Sequence, residues 1–146
     1  MKRIVCLIFA FLFVFSLCGC ENDYTRADEL ANEYIKAILA RDEDKMRECL
    51  HPDYINEAMP NDAFYETLEI QYIAIGYEMT NLSAVSKSKT DIVDNALRCS
   101  YVARINELFY TVELIIVDDD NGYGVVSTIM MLNTELDYYY NESDLG

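Results

Sequence analysis

The chain has 146 residues, with 11 Lys and Arg against 26 Asp and Glu and a formal net charge of −15. A summed field of that sign repels polyanions, which excludes nucleic acid and anionic lipid headgroups as partners held by charge. The length suits a single domain, and no internal repeat or linker interrupts it.

Lys2 and Arg3 precede an apolar run over 4–17, the basic and greasy regions of an export signal. Leu17-Cys18-Gly19-Cys20 closes that run. These residues resemble the bacterial lipoprotein signal, in which a Leu and two small residues precede a Cys; Cys18 stands where Ala, Ser or Thr is usual. The resemblance implies diacylglyceryl attachment to the Cys20 thiol and cleavage before it. Residues 1–19 are then a removed signal peptide, and 20–24 a lipidated Cys with a short tether. The domain is held on a cell membrane, facing outside the cytoplasm. Two acyl chains hold a domain stably where one is marginal. The alternative is an uncleaved apolar anchor, which Lys2 and Arg3 orient the same way.

The mature chain keeps nine basic residues against all 26 acidic ones, a charge of about −17. An acidic surface of this kind keeps an exported domain soluble. Two cysteines, Cys49 and Cys99, remain after Cys20. Their spacing leaves open whether they bond or stay separate thiols.

From 25 the sequence predicts a domain over 25–132. Thr25 is a candidate N-cap, and Ala27, Leu30, Ala31, Tyr34, Ile35, Ile38 and Leu39 follow at the spacing of one helical face. Arg41-Asp42 breaks this helix, Asp42 caps a second, and Met46, Cys49 and Leu50 form its apolar stripe before Pro52. One or two short helices are expected over 52–68. At 69 the period changes: Ile70, Tyr72 and Ala74 alternate with Ile73, Ile75, Tyr77 and Met79, which predicts a long strand. The polar stretch 81–90 reads as a turn plus a short edge strand, its lysines discouraging edge pairing.

The next hairpin can be registered from sequence alone. With Asn106-Glu107 as a two-residue turn, Leu97 faces Ile116, Cys99 faces Leu114, Tyr101 faces Val112, Ala103 faces Tyr110 and Ile105 faces Leu108. That face is apolar or aromatic throughout, whereas the other carries Arg98, Ser100, Arg104 and Glu113; a one-residue slip would destroy the segregation. A last strand over 123–132 follows the acidic turn Asp118 to Gly122. Both its faces are largely apolar, which predicts helices on one side and a second subunit on the other. Residues 133–146 form an acidic, Tyr-rich tail.

Helices carrying YIKAILARDEDKMRECLHPDYI, followed by strands ending in YTVELIIVDDDNGYGVVSTIMM, are similar to the NTF2-like superfamily. The resemblance implies an α+β fold: N-terminal helices packed on a curved antiparallel sheet, a cone with a pocket between the first helix and the sheet. It also implies homodimers through the sheet. The Trp common in the last strand is absent, with Val125 and Val126 in that region.

Site chemistry is sparse. Tyr72, Tyr101, Tyr110 and Glu113 are the residues that could line such a pocket, although aromatic strand residues are ordinarily core and Glu113 has Arg98 diagonally across from it. His51, the single histidine, is expected at a helix end, satisfying the last carbonyls or meeting solvent. The Asp118 to Gly122 run fails as a calcium loop, because Gly122 at the sixth position puts Val117 and Thr128 where carboxylates are required. No Walker, dinucleotide, CxxC, HExxH or GxSxG pattern is present. The expectation is no metal, no cofactor and no catalytic residue: a membrane-anchored module that binds a ligand or protein. A small isomerase or dehydratase using a pocket carboxylate, and a structural or inhibitory partner of another envelope protein, are the alternatives.

Overall fold

The computed structural model describes residues 24–68 and 78–135. A helix, α1, runs over 24–40. Ala27, Ala31, Tyr34, Ile35 and Ile38 are fully buried along it, so the spacing read from sequence is the face that meets the sheet. Residues 24 and 25 are already helical, so Thr25 is not the cap. The helix ends where Arg41 takes a left-handed φ of 52°. The Arg41 and Asp42 amides then donate to the Ile38 and Ala37 carbonyls at 3.1 and 3.0 Å, which closes the last turn.

Asp42 immediately starts α2 (Glu43–Cys49), its carboxylate accepting from the Lys45 amide at 3.2 Å. A 3-10 turn (Pro52–Tyr54) and two short helices follow, α3 (Ile55–Ala58) and α4 (Asp62–Thr67). Asn61 caps α4 by accepting from the Phe64 amide at 3.0 Å. Of the strand predicted from 69 through Met79, residues 69–77, with Tyr72, lie outside the described residues, as do the tail beyond 135 and the signal segment.

Four antiparallel strands, β1 (Met79–Thr90), β2 (Ala96–Ile105), β3 (Leu108–Asp119) and β4 (Gly122–Leu132), form a curved sheet in the order β1-β2-β3-β4. The β2–β3 register is the one predicted, from Leu97 opposite Ile116 to Ile105 opposite Leu108. Asn106 and Glu107 both adopt positive φ, 45° and 71°, as a turn matching the strands' twist requires. Bulges between Met79 and Asn81, between Ala84 and Ser86, and opposite Ile115 and Ile116 bend the sheet.

Residues 81–90 are strand throughout, which corrects the expected turn. Ser, Asn and Lys are poor strand formers, but pairing with β2 satisfies the backbone groups that face it, and the place of β1 at the edge of the described sheet lets their side chains stay wet.

The core lies between α1 and the face of the sheet carrying Cys99, Tyr101, Ala103, Tyr110, Val112, Leu114, Ile116, Val125 and Met130. Each large side chain sealed there contributes about 1.5–3 kcal/mol. Ala96, Ile115 and Val117 form a smaller cluster covered by Val93 and Val126. On β4, Ile129 and Met131 remain 48% and 58% exposed.

Cys49 and Cys99 are both buried and unbonded. Burial pushes the Cys49 thiol up to about 11, helped by the charges of Glu33 and Glu48, and pushes the Cys99 thiol up as well. Both should therefore resist a thiol reagent at neutral pH until the domain unfolds. Mass spectrometry of the native protein should show neither modified, and both modified in denaturant; prompt native labelling of either would contradict the packing.

Candidate functional site

Asp28, Asn32 and Lys36 recur every four residues along α1, one above the other beside its buried face. Met79, Thr80, Asn81, Leu82 and Ala84 of β1 stand opposite, with Tyr101 of β2 behind them, and a cavity of about 380 Å³ lies between. This is the space between the first helix and the sheet in which a pocket was expected, at its β1 edge.

Neighbouring groups fix the polar atoms here unequally. The Tyr101 hydroxyl donates to the Ala27 carbonyl at 3.3 Å. Burial raises its pKa, and the nearby Cys99 and Asp28 raise it further, so Tyr101 stays a protonated donor. Lys87 reaches from β1 to α1, its ammonium 2.5 Å from Asp28 Oδ2 and 3.3 Å from the Tyr24 carbonyl. Asp28 Oδ1, though shielded from solvent, has no hydrogen-bond partner among the described residues. A shielded acceptor left without a donor is a cost that the fold bears. Lys36 is exposed and makes no ion pair among the described residues.

Of the residues singled out from sequence, Tyr101 lines this cavity. Tyr110 is on the same face, buried in the core. Glu113 is on the other face, its Oε1 3.7 Å from Arg98 Nε with the two side chains 32% and 42% exposed. An ion pair that open is worth about 0–1 kcal/mol and places no base in the pocket. Asp28, Asn32 and Lys36 were passed over because polar residues at helical spacing read as a solvated flank. Only the sheet's approach makes that flank one wall of a cavity.

His51 differs from its sequence reading. It is 0% exposed. Rather than satisfying the carbonyls of the preceding helix, it starts the 3-10 turn: Nδ1 accepts from the Asp53 amide at 3.3 Å, which leaves the proton on Nε2 to be donated to Asp119 Oδ1 at 3.1 Å. Asp119 also accepts from the Asn121 and Gly122 amides at 2.8 and 3.1 Å. The Asn121 amide, then the His51 ring and the Gly122 amide, hold the Asp119 carboxyl below its usual range.

A histidine oriented by a carboxylate is the arrangement of a general base. Here the ring is walled in by Gly122, Pro52 and the edge of Tyr54, whose ring centroid is 5.5 Å away. No space is left for a reacting group, and the pair acts as a clamp between the helices and the β3–β4 turn. No local signal marks the pair in the sequence, because its two halves stand 68 residues apart.

A second cavity, of about 500 Å³, opens between Tyr24, the 91–95 turn and Tyr123; a third, of about 210 Å³, lies between Met59–Phe64 and Val126–Thr128. Among the described residues no group of His, Cys, Asp and Glu could hold a metal ion, and no helix is long and apolar enough to cross a membrane. No family model, curated protein or solved structure matches the chain. The geometry of the site therefore stands as its own warrant.

Proposed function

We propose that the protein is a membrane-tethered, extracytoplasmic binding module of the NTF2-like kind, which takes a small polar ligand between α1 and β1. The observation that carries this reading is the α1–β1 cavity, with a carboxylate oxygen and an ammonium on one helix flank that have no partner among the described residues. Helices packed on a curved antiparallel sheet, with the cavity between them, support the cone architecture. Neither acid–base candidate is free to act: Asp28 is held by Lys87, and His51 is sealed. Binding without turnover is thus favoured over isomerase or dehydratase chemistry.

A panel of polar small molecules, screened against the full chain in detergent by thermal shift, should contain compounds that raise the melting temperature. Ala84→Phe, which fills the cavity from a strand position that accepts an aromatic, should remove the shift. The ligand should be recovered unchanged. Conversion of the ligand would favour the enzyme; a panel without any shift, or shifts indifferent to Ala84→Phe, would sink the site.

The tether rests on the Leu17-to-Cys20 box. Labelled fatty acid should enter the wild type and not Cys20→Ala, and the variant should leave the membrane fraction. Incorporation that survives the substitution would refute lipidation at Cys20.

A further inference from the structure

Resting on the reading of the α1–β1 cavity as a ligand site, we infer that its ligand is a short peptide with free ends, about three residues long, bound as a zwitterion. A shielded acceptor and an available cation lie on one flank of α1. Asp28 Oδ1 lacks a donor among the described residues, while Lys87 engages the other oxygen. Lys36 lacks an anion among the described residues. A ligand meeting both must offer an N–H or O–H donor at one end and an acceptor of negative charge at the other.

The whole-molecule field narrows the class. A mature charge of about −17 opposes the approach of a net anion, so a simple carboxylate is disfavoured despite Lys36. A simple amine would satisfy Asp28 and leave Lys36 as it is. A zwitterion is neutral overall, crosses that field without penalty, and supplies an ammonium for Asp28 and a carboxylate for Lys36.

Length follows from helix geometry. Eight residues of α1 separate the two positions, a rise of about 12 Å, and the Lys36 stem can lean back along it. Three extended residues span at most about 10 Å, which closes the gap; a free amino acid is too short. Asn32 lies midway on the cavity wall, its amide able to meet a peptide group. Met79, Leu82 and Ala84 give the opposite wall apolar surface for small side chains, and about 380 Å³ is within the range of ligand pockets.

The test is calorimetric titration of the full chain in detergent with trialanine, its N-acetylated form, its C-terminal amide, and maltose as a non-ionic control. Trialanine should bind, and blocking either end should weaken it roughly tenfold, the size of one lost charge-assisted contact. Lys36→Met should bind trialanine and its amide equally, because the group that distinguishes them is gone. Ala84→Phe should bind neither.

Absence of trialanine binding, or equal binding of the blocked and free peptides, overturns the inference. If maltose binds instead and Ala84→Phe removes it, the zwitterion assignment falls while the cavity survives as a binding site. Trialanine binding untouched by Ala84→Phe would overturn both.

Discussion

Gly124→Ala should destabilise the domain by about 3 kcal/mol or more, at the top of the range for overpacked sites, because the atoms it meets cannot step aside. A Cβ at Gly124 would lie 2.3 Å from the His51 nitrogen, 2.5 Å from the Leu50 carbonyl carbon and 2.7 Å from the His51 Cα. All three are backbone, at the point where the chain leaving α2 makes a parallel bridge from Leu50 to Val125 and the His51 amide donates to the Val125 carbonyl at 3.0 Å. Making room for a methyl group means breaking that bridge, which docks the helical half of the domain on β4.

At roughly 4 °C per kcal/mol for a domain of this size, the melting temperature should fall by about 12 °C. Gly122→Ala gives the comparison. Its Cβ would meet Pro52 ring atoms at 2.7 and 2.9 Å, a side chain that can shift with its turn, and the cost should be smaller. If denaturant unfolding places Gly124→Ala within about 1 kcal/mol of wild type, the close approach is not a constraint.

His51→Ala should cost about 2–4 kcal/mol, combining the cavity left by a fully buried ring with two broken hydrogen bonds. A catalytic or solvent-facing histidine would show little loss of stability on the same change, so the unfolding curve discriminates between the roles. The pH dependence adds a second readout. Asp119 has its folded pKa depressed from 3.8, so its interactions stabilise the fold above that value and are lost as pH falls below it through the folded value. Asp119→Asn cannot titrate and should lose that share of the acid sensitivity. His51→Ala, which removes one cause of the depression, should lose less stability to acid through this carboxyl and complete that loss at a higher pH than wild type. Acid unfolding curves that superimpose for wild type and both variants would refute the clamp.

The elements legible in the sequence were those in which a local rule and the tertiary environment agree. The α1 face was readable because Ala27, Ala31, Tyr34, Ile35 and Ile38 keep the helical period and all of them are buried. The β2–β3 register was readable because side chains alternate strictly across a strand and only one pairing segregates Cys99, Tyr101 and Ala103 from Arg98, Ser100 and Arg104. Asp42 was recognisable as a cap because its carboxylate acts three residues away.

Where contacts span the chain, those rules fell silent. β1 looked like a turn because its composition is polar, and only hydrogen bonds to β2 make it a strand. His51 and Asp119 are 68 residues apart, and neither carries a local sign of the other. The same holds for the candidate site. Asp28 and Lys36 are ordinary solvated charges on an isolated helix. Only the arrival of Lys87 from 59 residues away occupies one Asp28 oxygen, while the other has no partner among the described residues. The sequence by itself determined the helix face and the hairpin register, because each rests on a strict period. The tertiary structure alone decided which polar groups are satisfied, because desolvation and pairing depend on what the folded chain brings beside them.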